Sequence, residues 1–362
     1  MLKTKKTLAN VKSYVPGRPI EEVKRELGLK NVIKLASNEN PFGPSPKVVA
    51  AMKKAFETVN RYPDGGCFYL RQAVAKHLKV PTEQIIFTNG SDELIVIAIR
   101  AFVDEGDEVI MAAPTFLIYS IASTVAGAEI KQVPLKDFNY DLESMKKAVS
   151  KRTKLIFLGN PDNPAGCYLT SRQLEKFLKD IPKDIVVFID EAYFEYVDAD
   201  DYADSVSLLK KFPNIIVART FSKMYGLAGL RIGYGVAGKE MIGILEKLRE
   251  PFNVNSIAQA AGIACLQDKK YYQNIARIFK EQRKIMQEQL QAIGCETVPS
   301  ATNFILIKTN NAARASEALM KKGIIVRNMQ AWGLNDYIRV TIGTEAENKR
   351  FLKTWKQIIK NN

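Results

Sequence analysis

A chain of 362 residues, 46% hydrophobic and 25% charged, has the composition of an ordinary globular protein with length enough for two domains. Its longest apolar runs are broken by charges within about ten residues, which argues against a membrane-spanning helix. The net charge of +14 comes from 53 basic and 39 acidic side chains that mix in stretches such as EKFLKDIPKD and FKEQRKIMQEQL, so it reads as solvated surface favouring small anionic ligands rather than nucleic acid.

The N-terminal MLKTKKTLANVKSYVPG is basic with no apolar segment behind it, which argues against a secretory signal and makes the cytoplasm the expected location. NVIKLASNENPFGPS then reads as a short strand running into a proline-punctuated loop, and PKVVAAMKKAFETVN as an amphipathic helix. RYPDGG is a turn and FYLRQAVAKHLKV a second helix. From there strands and helices alternate. QIIFTNG is a strand, SDELIVIAIRAFV a helix, DEVIMAAP a strand, TFLIYSIASTVAG a helix, EIKQVPL extended and LESMKKAV helical. TKLIFLGNP, DIVVFIDEAY and NIIVARTFS read as strands separated by the helices SRQLEKFLKD and SVSLLKKF, and RIGYGVAG as a closing strand.

Short apolar strands alternating with helices predict a three-layer α/β/α large domain with a mostly parallel sheet. Beyond LREPFNVN the helices lengthen, and the strands ATNFILIKT, GIIVRN and YIRVTIG stand further apart, which predicts a smaller α+β domain. The expected division is an N-terminal arm over 1–31, part of it packing with the small domain, a large domain over 32–250 and a small C-terminal domain over 251–362.

Polar groups follow several of the apolar strands: Asn89, Gly90 and Ser91 after QIIF, Asn160 and Asn163 after KLIFL, Asp190 after IVVFI, and Ser222 with Lys223 after IIVAR. Open α/β sheets bind ligands outside the carboxyl ends of their strands, so these groups are expected to converge. Each also has a plainer reading. Ser91 or Asp92 could simply cap a helix, GNPDNPAG could be only a loop, and Asp190 could sit in a structural salt bridge.

Neither GxxxxGK[ST] nor a strand-linked GxGxxG is present, and GYG at 233–235 is too short to carry a dinucleotide claim. The four cysteines, Cys67, Cys167, Cys265 and Cys295, form no CxxC and no disulfide-like framework. The single histidine, His77, falls inside a helical pattern and reads as structural, so neither a zinc site nor a serine–histidine–acid hydrolase is expected. Lys223 is the remaining nucleophile. Shelter from water favours its neutral amine, and a neutral amine condenses with an aldehyde. Asp190 would then keep the pyridine nitrogen of pyridoxal phosphate protonated, and the Ser91 helix would take the phosphate with Ser222 and Arg231.

The ordered motifs YVPGRPIEEVKRELG, LASNENPFGPS, NRYPDG, TNGSDE, APTF, NPDNPAG, IDEAYFEY, RTFSKMYGLAGLRIGY, IIVRN and YIRVTIG run through almost the whole chain. As a set they resemble the fold-type I aminotransferases that depend on pyridoxal 5'-phosphate. The resemblance implies that Lys223 is the residue joined to the cofactor and the proton shuttle, and that Asp190 partners the pyridine nitrogen. Tyr193 and Asn163 are implied to hydrogen-bond the cofactor's phenolic oxygen. Gly90, Ser91, Asp92, Ser222 and Arg231 fall at or beside phosphate-binding positions, and Phe116 falls where an aromatic ring stacks on the pyridine. Tyr62 matches a tyrosine that crosses a homodimer interface to the partner's cofactor phosphate. Arg339 resembles the arginine that holds the substrate carboxylate, with Asn38 near it, while Arg327 and Tyr14 resemble contacts to a substrate phosphate.

The branch most resembled moves an amino group between a phosphorylated amine and 2-oxoglutarate. A broader aromatic aminotransferase acting on phenylalanine or tyrosine is the alternative. The loop PDNPAG departs from the commoner PNNPTG at Asp162 and Ala165, which leaves its local hydrogen bonding open.

Overall fold

The strands TKLIFLG, VVFID and IIVART carry apolar residues on both faces, and such strands are stable only where both faces are covered. The computed structural model, which describes residues 3–11 and 13–360, places them at the centre of a seven-stranded sheet. Residues 1, 2 and 12 of the expected arm and the last two residues of the chain lie outside the described residues.

In chain order the strands are β1 (Ile33–Leu35), β2 (Ile85–Thr88), β3 (Glu108–Ala113), β4 (Glu129–Pro134), β5 (Thr153–Gly159), β6 (Val186–Asp190), β7 (Ile215–Thr220) and β8 (Gly233–Ala237), then β9 (Thr297–Val298), β10 (Phe304–Lys308), β11 (Ile324–Asn328) and β12 (Tyr337–Thr341). The large sheet has the order β2-β8-β7-β6-β5-β3-β4. All its pairings are parallel except those of β8, which runs antiparallel to both β2 and β7. Side chains alternate across it. Ile156, Leu158, Val187 and Ile189 enter one apolar core, while Leu155, Phe157, Val186 and Phe188 enter the other. The edge strand β4 is largely exposed along EIKQVP, and its lysine and proline suit an edge.

The second sheet has the order β1-β11-β12-β10-β9. Its membership differs from a simple cut at residue 32, because β1 pairs in parallel with β11, Ile33 opposite Ile324. A three-residue strand has too few hydrogen bonds to stand alone, and the open edge of β11 supplies them. The helix Ser256–Gln267 likewise falls in the range expected for the small domain, yet it lies against the large one. Its small residues permit the approach: a Cβ on Gly262 would stand 3.0 Å from Leu70. The chain therefore crosses between the two sheets more than once. Buried Arg283 ties them, donating to the carbonyls of Tyr196 (3.1 Å) and Thr302 (2.8 Å) and to Asp198 (2.9 Å). Among the described residues no helix is long and apolar enough to cross a membrane.

The carboxyl ends of β2, β3, β5, β6 and β7 share one edge, and β8 begins there. Close packing at that edge depends on glycine. A Cβ on Gly233 would meet the Ser91 nitrogen at 2.7 Å and the Gly90 carbonyl carbon at 2.8 Å, both backbone atoms that cannot swing aside. Gly233→Ala is expected to destabilise the protein by about 1–3 kcal/mol. Gly243→Ala, within the helix Lys239–Glu246 with open space around its Cβ, should stabilise by about 0.5–1 kcal/mol. Thermal unfolding of the two variants checks this. Equal behaviour would contradict the packing account.

Candidate active site

The common strand edge faces the second sheet across a cleft of about 240 Å³. Its floor is the end of β6, where Asp190 is 6% exposed. One carboxylate oxygen accepts from the Tyr119 hydroxyl at 2.8 Å and the other from the Ala192 amide at 3.1 Å. Burial pushes this carboxyl up to about 6 despite those hydrogen bonds, and nearby Asp92 and Asp162 add to the rise. No cation pairs with Asp190 among the described residues, so the salt-bridge reading is not what the fold builds. Burial, and then the Asp190 charge, raise the Tyr119 phenol well above its usual range, which keeps it the donor.

A second buried acid differs in kind. Asp162 accepts from Thr115 (2.8 Å), Tyr140 (3.0 Å) and the Ala165 amide (3.0 Å), which answers what the altered loop bonds to. Burial brings it to about 6 as well. Its partners knit the loop after β3 to the loop after β5, whereas Asp190 lines the cleft.

Lys223 stands three residues past β7, half-buried, and its Nζ donates to the Ser37 carbonyl at 3.2 Å. The Tyr193 ring centre is 5.7 Å away. The Tyr193 hydroxyl accepts from Asn38 (2.9 Å) and Asn163 (3.4 Å), which leaves its own proton for donation. Asn38 holds this position with φ of 56°, a left-handed conformation uncommon outside glycine. It is fixed by Thr341, whose hydroxyl accepts from its amide at 3.0 Å.

One end of the cleft is a cradle of donors. The helix Ser91–Phe102 begins at Gly90, and neither Ser91 nor Asp92 caps it; instead Glu93 reaches back to the Asn89 amide at 2.6 Å. The opening amides of the helix therefore remain available to an anion. Arg231, also left-handed with φ of 53°, bonds Ser222 Oγ at 3.4 Å and Asp92 at 3.3 Å. Glycine suits position 90, because its φ of 79° is one that other residues rarely adopt and a Cβ there would displace the Arg231 guanidinium. Phe116 lines the wall, its ring edge-on to Tyr119 at 5.6 Å.

The other end is lined by arginines. Arg339, 5% exposed, donates to Asn163 Oδ1 and, at 3.2 Å, to the Ala36 carbonyl. Burial lowers its guanidinium to about 10. Arg327 donates to the Val15 carbonyl at 2.7 Å, with the Tyr14 ring 5.7 Å from its guanidinium.

The fold thus gathers Tyr14, Asn38, Ser91, Asp92, Phe116, Asn163, Asp190, Tyr193, Ser222, Lys223, Arg231, Arg327 and Arg339 around one cleft, with Gly90 against its wall. Tyr62 is not among them. It is 84% exposed and stacked on Phe252 at 4.8 Å. Sequence reasoning missed Tyr119, Ser37 and Trp332. Tyr119 had a signal, since it lies one helical turn beyond Phe116. Ser37 acts through its carbonyl, which no side-chain pattern announces, and Trp332 lies in a connection with no periodicity.

A family model for aminotransferases of class I and II matches residues 30–354. The chain is 45% identical over 357 residues to histidinol-phosphate aminotransferase 2 of Carboxydothermus hydrogenoformans, a match covering 98% of this chain and 99% of that protein. It is 44% identical over 355 residues to histidinol-phosphate aminotransferase of an Anaeromyxobacter species, covering 97% and 98% respectively. Among solved structures, histidinol-phosphate aminotransferase from Sinorhizobium meliloti in complex with pyridoxal-5'-phosphate superposes with a TM-score of 0.91 at 29% identity, over 100% of this chain and 98% of that one. Relatives that match end to end, and a family model spanning both sheets, lead to one conclusion: the chain belongs to the class I and II aminotransferases.

Proposed function

We propose that the chain is a pyridoxal-phosphate-dependent histidinol-phosphate aminotransferase, which exchanges an amino group between L-histidinol phosphate and 2-oxoglutarate to give imidazole-acetol phosphate and L-glutamate in histidine biosynthesis. The carrying observation is the pairing of two arginines that have no carboxylate partner among the described residues, Arg327 and Arg339, with a cleft floor that holds Lys223 and Asp190. An aromatic aminotransferase needs the same floor and one arginine. A second arginine beside Tyr14 suits a phosphorylated substrate.

The residues present fit the cofactor. Uncapped amides, Ser222 and Arg231 suit its phosphate, and Asp190, buried without a cation, suits its protonated ring nitrogen. Pyridoxal phosphate supplies an aldehyde and an electron-withdrawing ring that acidify the Cα proton of a bound amine.

Lys223 is the residue that would attach to the aldehyde at rest, and its Nζ takes and returns the proton at the substrate Cα when released. Asp190 is the residue that would hold the ring nitrogen, its carboxylate being kept in place by the Tyr119 hydroxyl and the Ala192 amide. Tyr193, with Asn163, donates toward the phenolic oxygen. Phe116 supplies a stacking face and no hydroxyl. Arg339 binds the carboxylate of glutamate or 2-oxoglutarate with Asn38 near it, and Arg327 with Tyr14 binds the phosphate of the other substrate. Gly90, Ser91 and Asp92 shape the phosphate turn.

The experiment that tests this is a transamination panel with glutamate as donor. The kcat/KM for imidazole-acetol phosphate should exceed that for phenylpyruvate and 4-hydroxyphenylpyruvate by about tenfold or more, roughly the 1.4 kcal/mol of one added charged contact. The reverse order would make the enzyme an aromatic aminotransferase. Lys223→Ala should lower turnover by about 10²–10⁴-fold or more. Borohydride reduction and peptide mapping should label Lys223 and no other lysine.

The same reading includes a cytoplasmic homodimer with shared sites. Tyr62 is exposed, stacked on the exposed ring of Phe252 and absent from the lining of its own cleft, which supports service to a partner subunit. Mixing Lys223→Ala with a Tyr62 variant that binds cofactor poorly, under subunit exchange, should restore activity toward half the wild-type value per dimer. Verified exchange with no recovery would place Tyr62 outside the partner's site.

A further inference from the structure

Arg327 and Arg339 are direct cross-strand partners in the antiparallel pairing of β11 with β12. Like charges in that position repel, and among the described residues neither has a carboxylate partner. What they share is one aromatic ring. The guanidinium carbons lie 5.1 Å (Arg327) and 5.9 Å (Arg339) from the ring centre of Trp332. Tyr14 reaches only Arg327, and Phe304 only Arg339.

The indole is firmly placed. It comes from the short turn Gln330–Trp332 between the two arginine strands, which closes on Gly333 with φ of 75°. Asn328 braces that turn by accepting from the Gln330 amide at 2.8 Å and donating to its side chain at 2.9 Å. The ring also packs in a small apolar cluster with Val298, Leu306 and Met329. A ring held in this way attracts both cations through its quadrupole while the strands oppose them.

We propose that Trp332 is a specificity-determining positioning residue, whose ring face aligns Arg327 and Arg339 as a single receptor for a dianion such as a phosphate monoester. The proposal deepens the histidinol-phosphate reading and rests on it for the identity of the substrate. 2-Oxoglutarate is also a dianion, but its two charges sit on separate carboxylates, and the one held at Arg339 fills a single guanidinium fork, so it depends less on the spacing between two forks. A phosphate has oxygens for both at once.

The test uses the holoenzyme and two variants. Trp332→Met keeps apolar volume without a π face, and Trp332→Phe keeps a face. Three quantities are measured: KM and kcat with histidinol phosphate, KM with 2-oxoglutarate, and the competitive inhibition constant of inorganic phosphate. Trp332→Met should raise both the histidinol-phosphate KM and the phosphate inhibition constant about tenfold, with kcat and the 2-oxoglutarate KM within about threefold of wild type. Trp332→Phe should stay within about threefold throughout, and it reads the claim alone if the Met variant does not fold: a tenfold loss with Phe would overturn the face-based account. Unchanged phosphate inhibition in Trp332→Met overturns it, as does an equal loss for both substrates with falling kcat that Phe does not rescue. If the substrate reading itself is wrong, wild type will show no preference for the phosphorylated amine. The phosphate inhibition arm still judges Trp332, because it depends only on the arginine pair.

Discussion

A carboxylate buried at the end of a strand that is covered on both faces is the constraint around which this protein is arranged. Asp190 is 6% exposed, and its two hydrogen-bond donors do not offset its burial, which raises it to about 6. Such a group destabilises the fold at neutral pH unless a positive charge is set against it. The surroundings are rigid. β6 is buried along its whole length, Tyr119 lies flat on Phe157 at 4.5 Å, and Phe157 continues the stack toward Phe188. The acid can neither turn to solvent nor pair with a cation among the described residues. It is poised for a cationic ring.

The far end of the cleft has the opposite imbalance. Arg327 and Arg339 face each other across two strands with no counter-ion among the described residues, held by carbonyls, Asn163 and an indole. Between an unneutralised acid and two unneutralised bases lies the half-buried Lys223 amine. The cleft is therefore a polarised slot. In the proposed reading an anionic cofactor would set its phosphate at the Ser91 helix and its ring nitrogen at Asp190, and anionic substrates would enter from the arginine side. The basic surface of a chain with net charge +14 favours their approach.

Much of this was legible in the sequence because the informative residues follow strands whose apolar runs announce burial. Asp190 after VVFI, Lys223 after IIVARTFS and Gly90 after QIIFT are all set by the ends of buried strands, and an alternating pattern brings those ends to one edge. What stayed hidden was long-range pairing. β1 could be read as a strand, but nothing in IKL says that its partner is β11, almost 300 residues away. The bond from Tyr119 to Asp190 spans 71 residues, and that from Lys223 to Ser37 spans 186. Glycine at 233 was visible as a strand residue, but the reason for it, a helix start pressed on its face, is a tertiary fact. Trp332 is the sharpest case. Its importance comes from the register that sets two arginines opposite each other, which no local pattern encodes.

The most direct measurement is the unfolding free energy of wild type and Asp190→Asn from pH 4 to 8, first without pyridoxal phosphate and then with it. The folded-state carboxyl, at about 6, lies above its unfolded value of about 3.9, so the folded protein binds that proton more tightly. Its contribution to stability is present below about pH 4 and is lost as pH rises toward 6. Without cofactor, the gap between the two proteins should shift in favour of Asn by up to about 3 kcal/mol between pH 4 and pH 7. With saturating cofactor at pH 7, wild type should gain more than the variant, and the order should reverse. A gap that stays flat across that window, or a cofactor that stabilises both proteins equally, would contradict the claim that Asp190 is buried in wait for the cation that pyridoxal phosphate brings.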